Sequence, residues 1–441
     1  MIILPSLEIV PAKYNTSTNT LLSQIPIDGT GDFTVSRTTS PVTNQSTRVN
    51  ALGQIELVAD NVPRLDYPIG GGCPALLVEP AATNSIRNNS MVGAVAGSPG
   101  TLPTNFTEFT QAGLSREIVA TGTESGIPYI DYRIFGNANS NATRFLAFES
   151  TTQIVASSGQ RWTNSVYAKV VSAPNPPSQY SLYIVERNAS GGSITSQVAN
   201  ISIGSSLTRF ELNSAPLGAT TERVQPTIAF LVSNAQSYDF TIRIGYPQME
   251  LGSVATSVIP TTTQAIARAA DVITDTTASG VIGQTEGTIY AEVVLSNNSA
   301  GSIFLLDNGS TSTFLNIVRN TAQNIQVTLR NGGGTIATII TSSALANGVH
   351  KIALSYTNGA YSLYINGSPA GTSTNSTDYP ASLTRASIST SDYGAPYFPR
   401  NDRIRAAALY PTRLTDTQLA LLTSPYTSYS SMASALSYTL G

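Results

Sequence analysis

The chain has 441 residues, enough for two or three domains with cores of their own. Charged residues make up only 11% of it, against about 25% in ordinary soluble domains, and the formal charge of −3 is spread without blocks, which argues against a polyphosphate partner and nucleic acid in general. A single cysteine and a single histidine exclude, within one chain, a disulfide, a four-thiolate metal site and a three-histidine zinc site.

The opening run, MIILPSLEIVPAKY, lacks a basic n-region and is interrupted by Pro5, Glu8 and Pro11. It is a poor secretion signal, and no window reaches the roughly 18 apolar residues needed to cross a bilayer, so membrane insertion is not expected. A β-rich chain without export signal or disulfides suits folding in a bacterial cytosol and release by lysis. Residues 1–83 carry turn signals such as Asp28-Gly29 and Gly70-Gly71-Gly72, with short strands at 54–59 and 75–78. So little periodicity predicts a segment that wraps along another surface or a neighbouring subunit.

From 84 to 252 alternating runs recur at 129–135, 164–171, 180–185, 209–212, 227–232 and 240–244, with turn clusters at 174–178 and 189–192. Strands at this spacing predict a sandwich or jelly roll, with Trp162 in its core. Residues 253–285 form a Thr-rich connector with one helical or extended segment at 264–272. Alternation resumes in a second module, 286–441, at 288–295, 302–306, 314–319, 325–330, 336–341 and 403–409. Its clearest element is HKIALSYTNGAYSLYING, 350–367, where Ile352, Leu354 and Tyr356 share one face and Tyr361, Leu363 and Ile365 another. The Asn-Gly pairs at 358–359 and 366–367 supply the positive φ angles of tight turns. YSLYI occurs at 180–184 and again at 361–365, as tandem sandwiches sharing a strand design, or chance repetition in a Tyr- and Ser-rich chain, would produce.

Near the end, LTDTQLALLTSP (414–425) predicts a helix. Thr415 is the N-cap, Gln418 completes a capping box, Leu414 and Leu419 staple across it, Asp416 complements the dipole and Pro425 stops it. Some ten residues are marginal alone, so the leucines must dock on the adjacent sandwich. The fold class expected is all-β.

Little chemistry is visible. His350 lies at the mouth of an apolar strand, where a satisfied structural role is expected, and no nucleophile elbow accompanies it. Glu286 and Glu292 share a strand face and could form the carboxylate pair of a glycosidase, or be two solvated polar residues. The Gly triplets at 70–72 and 332–334 lack the Lys and helix start of a phosphate loop. Asp307-Asn308-Gly309 reads as a hairpin turn rather than a calcium loop. The segment SDYGAPYFPRND (391–402) gathers Asp392, Tyr393, Tyr397, Phe398, Asn401 and Asp402, a candidate ligand-binding set with ordinary loop packing as its alternative.

Several stretches carry a family resemblance. GTIYAEV (287–293), HKIALSY…YSLYING and ALYPTRLTDTQLALLT (408–423) resemble the concanavalin A-like, laminin-G-type jelly rolls of tailed-phage virion proteins, in which a final strand runs into a short helix of this kind. FTVSRTTSPVTNQSTRVNALGQIELVADNVPRLDY (33–67) is similar to a phage motif of the form f.R.s.aTrVN..G.ie.v..n.pRldY, with an insertion at 40–46. LLVEPAATNSI (76–86) and PQMELGSVATSVIPTTTQAIARAADV (247–272) complete the set, so the resemblance spans nearly the whole chain. It implies a bacteriophage structural protein of the head-fibre or tail-fibre type, some such proteins belonging to crAss-like phages. On that reading residues 1–83 attach to other virion proteins, and the chain forms a homotrimer or other homo-oligomer. Two sandwiches then adhere to a host-surface glycan without a cofactor or catalysis of their own. The alternative is a glycan-degrading tail enzyme using paired carboxylates.

Overall fold

Alternating residues pair into antiparallel strands that build two β-sandwiches, one inserted into the other. The structure, a computed structural model, describes residues 4–11, 13–68, 70–295, 300–375, 379, 382–388 and 402–425. The all-β expectation holds, with one short α-helix among the described residues.

The second sandwich packs an eight-stranded sheet on a nine-stranded one. Glu286–Leu295 is central to the first sheet, flanked by Gly348–Thr357 and Asp402–Tyr410. The hairpin 350–367 is present with Tyr356 opposite Tyr361 and all six predicted apolar residues in the core. Only Gly359 of the first Asn-Gly pair takes positive φ (74°), whereas both Asn366 (51°) and Gly367 (83°) of the second do.

The described residues among 4–83 lie along a surface of their own chain. Leu7–Ile9 and Ala75–Val78 pair with Asp402–Tyr410, while Phe33–Ser36 pairs with Val272–Asp275 in the nine-stranded sheet. Leu7, Ile9, Phe33, Val35, Leu76 and Val78 enter the same core as Ile289 and Leu354. The segment's lack of an independent core, the motive for subunit interleaving, is thereby accounted for inside one chain. The connector is extended rather than helical: Ile266–Arg268 pairs with Ala82–Asn84 and Thr39–Ser40.

The inserted sandwich packs a six-stranded sheet on a five-stranded one around Trp162, Ile184, Phe230, Phe240 and their neighbours. The two YSLYI copies present the same faces. Leu182 and Ile184 point into one core, Leu363 and Ile365 into the other, leaving Tyr183 and Tyr364 on the outer faces.

Helix Asp416–Thr423 has the predicted capping box, the Gln418 N–H donating to the Thr415 hydroxyl and the Gln418 side chain accepting from the Thr415 N–H at 2.8 Å. Leu414 and Leu419 are buried against Tyr290, Ala353 and Tyr364 on the outer face of the eight-stranded sheet.

Candidate functional site

Of the six residues proposed for ligand binding, Asp392, Tyr393, Tyr397, Phe398 and Asn401 lie outside the described residues. Asp402 opens a strand opposite Val78 and is 3% exposed. The glycosidase pair is corrected by distance. Glu286 and Glu292 are six positions apart on one strand, about 20 Å at the usual rise, against the roughly 5–9.5 Å that two cooperating carboxylates need. The His350 ring is hydrogen-bonded at both nitrogens, Nδ1 accepting from Asn366 Nδ2 and Nε2 donating to the Ala346 carbonyl, each at 2.9 Å. Asp307 Oδ1 accepts from the Gly309 N–H at 2.7 Å, which makes the triplet 307–309 a turn. Among the described residues no three His, Cys, Asp or Glu side chains gather as a metal site would require.

The motifs that carry the family resemblance converge where the chain leaves and re-enters the second sandwich. Arg37, Arg64, Glu79, Arg268 and Asp271 are each about 1% exposed or less. Arg37 Nη1 donates to Asp271 at 2.9 Å, Arg64 bridges Glu79 (2.6 Å) and Asp271, and Arg268 reaches Glu79 at 2.8 Å. Ser257 adds its N–H and hydroxyl to Glu79, both at 2.6 Å. Burial alone would raise the Glu79 carboxyl, but the Arg268 and Arg64 guanidiniums and Ser257 outweigh it and hold it well below the usual range. Asp271 is held down in the same way by Arg64 and Arg37. These groups are spent on one another at about 1% exposure or less, so the motif serves the crossings between modules rather than a catalytic site.

Beside the cluster lies a cavity of about 240 Å³ with walls from both sandwiches and the hairpin Ser46–Val58. Arg48, Asp66 and Arg403 line it from one side, Tyr167, Arg209 and Glu211 from the other. Arg209 lies 5.8 Å from the Tyr167 ring centroid and donates to the Thr256 carbonyl at 2.6 Å.

A second depression, also about 240 Å³, opens on the outer face of the six-stranded sheet. The register puts Phe109 beside Phe145 on neighbouring strands, and Tyr183 beside Thr227. All three rings are half-buried, and those of Phe145 and Tyr183 meet edge to face at 5.1 Å. Arg187 and Gln225 form the polar side, with Arg187 Nε and Nη2 donating to Gln225 Oε1 at 3.0 and 2.6 Å and Nη1 donating to the Gly191 carbonyl at 2.8 Å. Ser193 and Ser196 on the edge strand complete the rim. Rings flanked by fixed amide and guanidinium groups can hold a ligand with one apolar and one hydroxylated face. Sequence reasoning missed this site because 142–147, ATRFLA, does not alternate cleanly: Arg144 points inward to Glu108 and Tyr132. The available signal was Tyr183, an aromatic out of phase with the core residues Leu182 and Ile184.

Residues 269–420 match the family described as the concanavalin A-like lectin/glucanases superfamily. No curated protein matches the chain. Among solved structures, the CBM40 of Ruminococcus gnavus IT-sialidase is similar at 21% identity, over 33% of this chain and 87% of that one, with a TM-score of 0.30. Domain 4 of an extracellular arabinanase from Geobacillus stearothermophilus, solved with arabinotriose, is similar at 18% identity over 35% and 73% of the two chains, TM-score 0.30. Mouse laminin alpha1 domains LG4-5 share 12% identity over 66% of this chain and 90% of theirs, TM-score 0.23. The chain thus carries a concanavalin A-like jelly-roll module over residues 269–420, completed by strands from its first 78 residues.

Proposed function

We propose that the chain is a non-enzymatic adhesion protein of the phage-fibre type, displaying its sandwiches on a virion to bind a glycan of the host surface. The observation that carries the glycan reading is the half-buried pair Phe109 and Phe145 beside Arg187 and Gln225, with Tyr183 packed edge to face on Phe145. The rings offer faces to sugar C–H groups, while the exposed Ser193 and Ser196 hydroxyls on the rim offer donors and acceptors to sugar hydroxyls. The virion placement rests on the motif set and on residues 1–83, where the large apolar side chains most open to solvent among the described residues are found: Ile27 at 93%, Leu52 at 81% and Leu4 at 70% exposed. Such side chains suit contact with other virion proteins or with further copies in a homotrimer or other homo-oligomer. No cofactor enters the proposal.

The test is a glycan screen of the intact chain, repeated with Phe145→Ala and Tyr183→Ala. Each truncation should weaken the best ligand by about 1 kcal/mol or more, roughly fivefold or greater. Unchanged affinity in both variants removes the site from the reading. Release of reducing sugar from the same glycans would replace adhesion with hydrolysis, and absence of the chain from purified particles by mass spectrometry would remove the virion placement.

A further inference from the structure

The cavity between the modules is built differently from the aromatic depression. Arg48 donates through Nε to Glu56 at 2.8 Å, and Arg403 through Nε to Asp66 at 2.6 Å. Asp66 is itself fixed by the Val49 N–H at 2.7 Å, and Glu56 by Asn50 Nδ2 at 3.0 Å. Each guanidinium is therefore held at its inner nitrogen, while its terminal nitrogens have no protein partner among the described residues. The side chains are 19% and 33% exposed, so the free ends remain within reach of a ligand. A guanidinium oriented in this way presents a planar fork, the geometry that grips a carboxylate at two points.

The other walls limit what can enter. Ile55, Val258 and Tyr167 make an apolar floor, with the Tyr167 hydroxyl unpartnered among the described residues. Glu211 stands exposed at the rim with no protein partner among the described residues, an acceptor for hydroxyl groups. The lining carries three arginines (48, 209, 403) and three acids (66, 79, 211), which leaves no excess of positive charge for a dianion such as phosphate. At about 240 Å³ the space is below the roughly 300–1,000 Å³ of drug-sized sites, which suits one sugar residue.

We propose that this cavity binds the carboxylate of a single acidic sugar residue, with Arg48 and Arg403 as its forks, Tyr167 under the ring and Glu211 on a hydroxyl. The proposal rests on the glycan-adhesion reading and assigns it a second, acid-specific site.

The test is calorimetric titration of the intact chain with methyl β-glucuronide, methyl α-N-acetylneuraminide, methyl β-glucoside, acetate and inorganic phosphate. One or both acidic glycosides should bind, and the glucoside, acetate and phosphate should bind at least about tenfold more weakly. Arg48→Gln, with an unchanged urea midpoint, should weaken the acidic glycoside about ten- to a hundredfold, the range of lost charge-assisted hydrogen bonds, and Arg48→Lys should recover only part of it. Tyr167→Phe should weaken it by a smaller factor. Failure of both acidic glycosides to bind, equal binding of acetate, phosphate or glucoside, or indifference to Arg48→Gln each overturns the proposal. The adhesion reading is separable: Phe145→Ala with Tyr183→Ala should abolish binding at the outer depression while leaving acidic-glycoside affinity intact. If those variants lose the screened glycan and Arg48→Gln changes nothing, adhesion stands and the acidic-sugar site falls.

Discussion

Replacing Asp271 with Asn tests the junction directly. Asp271 accepts from Arg37 Nη1 and from the Glu79 N–H, both at 2.9 Å, and from Arg64 Nη2, at 1% exposure. In the parent, three guanidiniums (37, 64, 268) oppose two carboxylates (79, 271), a buried excess of one positive charge. The amide keeps the shape, raises that excess to two, and turns an NH2 group towards groups that also donate. Breaking a buried pair from one side costs about 3–5 kcal/mol, a large part of the roughly 5–15 kcal/mol that stabilises a domain. With a urea slope of about 1–3 kcal/mol per molar, the midpoint should fall by more than about 1 M. Arg37→Met combined with Asp271→Asn restores the parent excess and should recover part of the loss, a non-additivity readable as a double-mutant cycle. A midpoint moved by less than about 0.3 M for the single variant, or a double variant no better than it, would refute the view that charge balance holds this junction.

Further outcomes are expected elsewhere. Glu79 and Asp271 titrate below their unfolded values, so their contribution is complete above about pH 5 and is lost as pH falls through their lower folded values; the acid-side drop in melting temperature should set in only below about pH 4. Burial raises the Glu250 carboxyl despite its bonds to Thr256 and Gln248, so burying its charged form costs stability, and Glu250→Gln should be tolerated or slightly stabilising in urea at pH 7. Thr415→Ala removes the helix cap and should cost about 1 kcal/mol, with faster amide exchange confined to 416–423. Gly126, at φ 77°, would place a Cβ 1.9 Å from the Ile55 carbonyl oxygen; Gly126→Ala should displace the hairpin 46–58 and abolish acidic-sugar binding while sparing the outer depression.

Legibility followed periodicity. Phe314–Arg319 and Ala75–Val78 fall where their apolar runs put them: Leu315, Ile317, Leu76 and Val78 enter the core, and Phe314, Asn316, Ala75 and Leu77 are buried on the opposite face. The helix was readable because capping is local chemistry, complete within 414–425. Ser193–Ile201 went unseen: SITSQVANI lies at a sheet edge with both faces largely open, so burial selected no apolar face. Partnership in space was invisible too. Nothing in FTVSR says that Arg37 meets Asp271, 234 positions away, and without that pairing the opening residues look like a segment in search of another subunit. The aromatic site escaped for a related reason. Phe109, Phe145 and Tyr183 come from three strands, and only the register brings them together.

The junction also explains how a sparsely charged chain uses its ionic residues. An inserted sandwich is joined to its host by two chain crossings, near 79–86 and 249–271, and a flexible joint would let the modules swing independently. Apolar packing there would resist separation but tolerate sliding, since it is non-directional. Arg37, Arg64 and Arg268 instead bind Glu79, Asp271, Ser257 and backbone carbonyls in fixed directions, pinning the two crossings to each other, while Gln248 and Glu250 of the inserted sandwich hold residues 256–259 beside them. Arg48, Arg403, Tyr167 and Arg209 line the cavity from elements on both sides of that joint, and they stay in register only while it is rigid. Measuring acidic-glycoside affinity in the Asp271→Asn background, below its unfolding range, therefore separates two views of the cluster. If it merely adds stability, affinity is unchanged. If it aligns the cavity walls, affinity falls although every lining residue is intact.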